Sequence, residues 1–434
     1  MATARRLPVP AVVGVVLVAV GIFLRDGKAL ACAVPLLLYG AAWLIGEATV
    51  VRRPLRVVRT PSALRIEEGR EVSVSLVVSP SGGGRRRILL GCREGLPRSA
   101  GEVDGRVAAL GLVRAGDALE VTYRLTLERG EHVFPGVSIL RVGLIPTFCE
   151  TVDVAHETRL LVVPRPQPIA SLEIRPRRTR VYSGIVKARV GGPGLEFFGC
   201  RGYEAGDDVR RINWRAYAKG GELVVNEFEQ ERIADVNVIL DARDAAYGAG
   251  AAVPLFESSV RGAATMAGHF LDRGNNVGLL VYGDVLDWTY PGFGRAQKQR
   301  VLNALARAEP RDKPAFADLR DIPARLFPSR SQLVFVSPLA GTDDVRILGR
   351  LRARGYHVIV LSPSALNVEV AQCAARVRRS EALELGKRLL ALRRRLLLRT
   401  LAGLGVVVID WDVSRPVGEA VFPVAMLLRG GRSP

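Results

Sequence analysis

Two uncharged apolar runs within the first fifty residues constrain this chain more than any other feature. Residues 7–24 and 29–46 each run 18 residues without a charge, and the charged turn 25–28 separates them. At about 1.5 Å per residue, a helix of that length crosses most of a hydrocarbon core of about 30 Å. A chain in lipid must satisfy its own backbone polar groups, so such runs become helices. The short turn predicts a transmembrane helical hairpin over residues 1–50. A cleaved signal peptide fits less well. The first run exceeds the roughly 7–15 apolar residues of a signal core, and no small-x-small cleavage site precedes the second.

Flanking charge gives the orientation. Arg5 and Arg6 precede the hairpin and Arg52, Arg53, Arg56 and Arg59 follow it, against Arg25 and Lys28 in the turn. Six positive charges against two place both ends inside. The expectation is a cell inner-membrane protein with two transmembrane helices and a cytoplasmic soluble part. The cysteines agree with a reducing compartment: Cys32, Cys92, Cys149, Cys200 and Cys373 are far apart and form no CxxC pair. That spacing argues against a disulfide scaffold or a zinc site. The formal net charge is +19. It suits an anionic membrane surface or an acidic partner. Arg greatly outnumbers Lys, a usage that genome bias also produces, so no nucleic acid is expected as a partner.

Residues 51–170 read as a β-rich, sandwich-like domain. Glu71–Val78, Leu119–Leu127 and Val137–Val142 alternate apolar and polar residues with Val, Thr and Tyr enriched. Period-two alternation marks half-buried strands, and Gly and Pro clusters between them supply turns. No catalytic set lies there. Residues 143–150 read as a loop, and 174–190, rich in Arg, as a linker near the membrane or a partner.

Residues 171–235 hold linker and signature segment. Residues 192–232 read GPGLEFFGCRGYEAGDDVRRINWRAYAKGGELVVNEFEQER. Glycines 192, 194 and 199 do not make GxGxxG, and no strand–helix frame surrounds them, so a dinucleotide site is not indicated. What the stretch offers is charge among aromatic rings: Arg201, Tyr203, Asp207, Asp208, Arg210 and Trp214 are the candidate binding residues. Gly206-Asp207-Asp208 favours a tight turn. Ile212-Asn213-Trp214 is expected to set Trp214 on an apolar surface, and residues 222–229 to form a strand. One reading is a salt-bridged clamp that pins the segment to the next domain. The other is a binding surface.

This stretch resembles the signature of the domain-of-unknown-function 58 family. Gly192, Gly194, Glu196, Phe197, Arg201, Tyr203, Gly206, Asp207, Asp208, Arg210, Ile212, Trp214, Ala218 and Glu229 match its pattern. The layout of anchor, β region, signature and α/β domain resembles that family as well.

From residue 236 to 434, apolar strands alternate with amphipathic helices. Strands are read at 236–241, 276–282, 332–337, 357–361 and 406–410. Helices are read at 254–272, 295–308, 315–322, 343–354 and 381–402. That alternation implies a mostly parallel sheet with helices on both faces. Ligands in such folds sit at the carboxyl ends of strands, here Asp241, Ser337 and Ser362. The helix at 381–402, basic and rich in leucine, reads either as a surface helix at the membrane or as one packed on the sheet with its charges in water.

The resemblance implies that this part is similar to a von Willebrand factor A domain. Those domains hold Mg²⁺ at a D-x-S-x-S loop, by hard oxygen ligands. Asp241 matches the first position, but Arg243 and Ala245 replace both serines, so the site is degenerate. Arg243 can instead neutralise Asp241 by pairing.

The histidines are scattered and no nucleophile frame is present, so an interaction role is favoured over catalysis. The resemblance implies a membrane-anchored adaptor or scaffold working with a MoxR-type AAA+ ATPase, in assembly of envelope or secreted protein complexes. The alternative is an enzyme acting on cell-envelope components, with Asp207 and Asp208 in its active site.

Overall fold

The computed structural model describes residues 9–50, 53–81, 87–114, 116–142, 149–169, 172, 180–233, 235–247, 252–283, 286–310, 327–328, 331–340, 342–368 and 381–429. The chain divides into two compact units, Met1–Val162 and Val163–Pro434.

In the first unit, α1 (Val9–Leu24) and α2 (Gly27–Thr49) pack side by side. Small residues set how close they come. A Cβ at Gly40 would stand 2.7 Å from Ala11 Cβ, and one at Gly14 would stand 3.0 Å from Leu36 Cβ. Such small-residue contacts are how apolar helices associate without a hydrophobic driving force between them. The outward leucines, valines and Phe23 are exposed. By length and composition, Gly27–Ala48 is apolar and long enough to cross a membrane. The described part of α1 has 16 residues and falls short of that length.

The rest of this unit is β-structure, mostly antiparallel, around one core. One sheet orders β1 (Leu55–Pro61), β3 (Glu71–Pro80), β7 (Leu119–Leu127) and β5 (Ala100–Gly105). A second orders β10 (Cys149–Val154), β9 (Val137–Val142), β4 (Ile88–Glu94) and β6 (Ala108–Val113). A third joins β2 (Arg65–Glu67), β11 (Thr158–Val163) and β8 (Gly130–Phe134). Alternate residues point inward, so Val72, Val74, Leu76 and Val78 of β3 meet Ile88, Leu90 and Cys92 of β4 in a single cluster. Cys149 and Glu150 begin β10 and so belong to the sheet, not to a loop as expected; residues 143–148 lie outside the described set.

Arg59, counted above with the membrane flank, is buried with Glu94, both side chains at 0% exposure. Its Nε donates to Glu94 Oε1 at 3.1 Å, Nη1 to Thr158 Oγ1 at 3.1 Å and Nη2 to Pro135 O at 2.7 Å. Burial pushes the Glu94 carboxyl up, and the Arg59 hydrogen bond and charge pull it back.

In the second unit, β12 (Arg180–Gly202) pairs antiparallel with β13 (Val224–Ile233) in a long two-stranded ribbon. Residues 180–190 are therefore strand, where a linker was expected; residues 173–179 lie outside the described set. Glycines 192, 194 and 199 lie within β12, not at a strand–helix turn.

A six-stranded mixed sheet follows, ordered β16 (Leu286–Gly292), β15 (Asn276–Tyr282), β14 (Asp235–Asp241), β17 (Gln332–Val336), β18 (His357–Ser364) and β19 (Val407–Asp412). All neighbours are parallel except the β15–β16 edge pair. On one face Ile239, Leu280, Phe335 and Val360 pack with Leu348 and Leu351 of α6 (Thr342–Ala353) and Leu401 of α7 (Glu381–Gly403). On the other, α4 (Ala252–Asp272) lies so close that a Cβ at Gly262 would stand 2.8 Å from Leu361 Cδ2. The connecting helix α5 (Gly294–Arg307) follows β16. Strand β16 and the terminal helix α8 (Val417–Arg429) were not anticipated; the helix read at 315–322 lies outside the described residues.

Candidate functional site

The signature residues build a small lobe that connects β12 to β13 at the closed end of their ribbon. Gly206 takes φ +110°, a left-handed value open to glycine, and the Asp207 N–H donates to Glu204 O at 3.1 Å. Arg201 closes this turn. Its Nη1 donates to Asp207 Oδ2 at 2.8 Å and its Nη2 to Oδ1 at 2.6 Å, a two-pronged pair whose planar fork fits the carboxylate. The Glu204 N–H adds a bond to Asp207 Oδ2 at 2.9 Å. The Arg201 hydrogen bond, then that N–H, hold the Asp207 carboxyl below the usual range.

Asp208 caps the following turn, accepting from the Arg210 N–H at 3.0 Å. Asn213 then caps α3 (Trp214–Gly220), accepting from the Ala216 N–H at 3.0 Å, and its amide donates to Asn226 Oδ1 at 3.0 Å. Gly221 ends the helix at φ +71°. The Tyr203 N–H donates to Leu223 O and the Asn213 N–H to Val224 O, which ties the lobe back onto its ribbon.

The outcome differs from expectation at Trp214. The Arg201–Asp207 pair fastens the turn to itself, six residues apart. Trp214 does not rest on an apolar surface: it is 58% exposed and meets Tyr217 edge-on at 6.3 Å between ring centres. Val209, Tyr217 and Leu223 are exposed as well. Arg210, Arg215 and Lys219 are exposed on the same lobe. The result is an apolar and aromatic surface among charges of both signs, since Glu204, Asp208 and Glu222 are exposed there too, on a lobe spanning residues 203–223. Such groups bind by burying rings and pairing charge. Asp207 is held by Arg201 and Asp208 is spent on capping, so neither carboxylate is placed as an acid or base.

A second arrangement sits at the carboxyl ends of the parallel strands. The chain leaves β14 towards β15 on one side and returns to β17 on the other, so the strand order reverses between β14 and β17. Sheets of this kind open a crevice at that point. Asp241 lies there, fully buried. Arg243 Nε donates to its Oδ1 at 2.9 Å, and Arg243 Nη2 to its Oδ2 at 2.8 Å. Ser337 Oγ donates to Oδ2 at 2.8 Å. Arg243 Nη2 also reaches Asp344 Oδ1 at 3.2 Å, and the guanidinium lies 5.4 Å from the centre of the Tyr282 ring. Burial opposes the charge on Arg243, but Asp241, and then Asp344, outweigh it and hold the guanidinium charged beyond its ordinary range.

These residues do not fit Mg²⁺. A cation at Asp241 would have to displace the Arg243 and Ser337 donors that fill both carboxylate oxygens, with arginine and alanine where hydroxyl ligands would be needed. Ser362 is at the neighbouring strand: Arg394 Nη2 donates to its carbonyl at 2.8 Å and to Asp410 Oδ1 at 2.7 Å. The pairing of Arg243 with Asp241 was legible from their spacing. Asp344 was not, because 101 residues separate it from Arg243.

Residues 199–364 match the family model described as protein of unknown function DUF58. The matched stretch runs from the signature lobe through β18, and it supports that family for this part of the chain. No curated protein matches. Among solved structures, a conjugate transposon protein from Bacteroides vulgatus is 13% identical, with 26% of this chain and 86% of that one covered and a TM-score of 0.16. A FixG-related protein from Vibrio parahaemolyticus is 11% identical, with 25% and 96% covered and a TM-score of 0.17. Scores so low carry no argument about fold or function.

Proposed function

We propose that this chain is a membrane-anchored protein-interaction module, an adaptor or scaffold for a MoxR-type AAA+ ATPase in assembly of envelope or secreted protein complexes. In this reading α1 and α2 cross the inner membrane as a hairpin, and both soluble units lie on the cytoplasmic side. The six-stranded sheet unit is von Willebrand factor A-like, with Arg243 in place of a cation. The observation that carries the interaction role is the signature lobe. Its hydrogen bonds are spent on rigidity, while Trp214, Tyr217, Val209 and Leu223 are left in water. Large apolar groups on a fixed scaffold mark a surface that a partner covers. The ATPase as partner rests on resemblance alone.

The test is capture of the tagged full-length protein in mild detergent, with crosslinking and mass spectrometry, beside a Trp214→Ala/Tyr217→Ala variant. The expected result is a MoxR-like ATPase with the wild type, lost from the variant while its melting temperature is unchanged. No ATPase under crosslinking refutes the partner. An ATPase captured equally by both chains refutes the lobe as its site.

A further inference from the structure

Helix α7 is apolar on two opposite faces, and the fold buries residues of only one, where Leu390 still stays 54% exposed. At about 100° per residue, Arg394, Leu397, Leu398 and Leu401 share a side. Leu401 is fully buried in the sheet core, Leu397 and Leu398 pack against that core, and Arg394 pairs with Asp410. Half a turn away, Leu385, Leu389, Leu392 and Leu396 stand in steps of four, three and four. They are 63%, 61%, 51% and 56% exposed. They line about 17 Å of helix in a seam only about 60° wide. Arg393 borders the seam on one side and Arg388 and Arg395 on the other, all exposed.

Steps of four and three with charged borders are the pattern of a helix–helix seam, with leucines at a and d and arginines at e and g. A helix that lies on lipid presents a broader apolar face than this. Pairing with a second copy would set arginine against arginine, which is unfavourable. The charge asks for the opposite sign. We propose that α7 docks an acidic amphipathic helix of a partner, one with leucine-type residues at heptad spacing and Glu or Asp bordering them. This surface lies on a different element from the signature lobe and does not rest on the ATPase reading.

The test uses the full chain in phosphatidylcholine nanodiscs and a labelled synthetic four-heptad peptide. The peptide has leucine at a and d and Glu at e and g; a matched control peptide has Lys at those positions. The Glu peptide is expected to bind at least tenfold more tightly than the Lys peptide by fluorescence anisotropy. Leu389→Gln/Leu392→Gln should abolish binding without moving the melt, and Arg388→Glu/Arg393→Glu/Arg395→Glu should reverse the preference. Absence of binding, or equal binding of both peptides, overturns the proposal. A dimer that the Leu389→Gln/Leu392→Gln change converts to monomer assigns the face to a second copy and overturns it.

Discussion

Replacing Arg243 with methionine tests how the switch-point crevice is held together. Methionine keeps roughly the length and apolar stem of arginine and removes the guanidinium. Asp241 is 0% exposed and Asp344 is 2% exposed at the side chain, against 17% for Arg243, so water cannot take over the lost contacts. Removing one partner of a buried pair strands the other charge and costs about 3–5 kcal/mol. For a unit of this size, each kcal/mol moves the melting temperature by about 2–4 °C, so the drop is roughly 6–20 °C. Differential scanning fluorimetry on the full chain in detergent reads it. Adding Asp241→Asn should recover part of the loss, since the uncompensated charge goes with it. Arg243→Met within about 1 kcal/mol of the wild type at neutral pH would refute the reasoning, and the guanidinium would then be a surface decoration.

Three further predictions follow the same logic. Burial, then the Arg273 charge, hold the His269 imidazole down at about 4, and its Nε2 accepts from the Leu172 N–H at 3.3 Å. The unfolded chain binds that proton near 6.5, so stability is complete above that pH and declines by roughly 3 kcal/mol as pH falls to about 4. A His269→Gln chain that keeps the same acid slope in urea titrations would rule this out. Gly262→Val should cost roughly 1–3 kcal/mol, because a Cβ there stands 2.8 Å from Leu361 Cδ2 and 3.1 Å from Trp411; an unchanged melt would mean that α4 shifts freely. Asn213→Ala should weaken α3 by about 1 kcal/mol through its lost cap. Faster hydrogen exchange at the Ala216 amide is the readout, and unchanged exchange would show the cap to be idle.

Local chemistry made much of this protein legible from its sequence. Residues 276–282 and the neighbouring strands are runs of apolar residues, and only burial on both faces explains such runs. Glu71–Val78 alternates because one side faces a core. The Gly206-Asp207-Asp208 turn follows from short-range hydrogen bonding. Asp241 and Arg243 are close enough in sequence that their pairing was foreseeable. Contacts between distant residues were not foreseeable. No local pattern shows that β1 carries Arg59 to Glu94, 35 residues away. The basic stretch before the signature looked like a linker because its strand pairing depends on β13, which no local pattern reveals. Helix α7 had the composition of a surface helix and of a core helix. Only its seating on the sheet decided which leucines were used, leaving Leu385, Leu389, Leu392 and Leu396 in water. Sequence fixes a residue's preferences, but its partner across the fold decides whether a charge is spent or a ring is free.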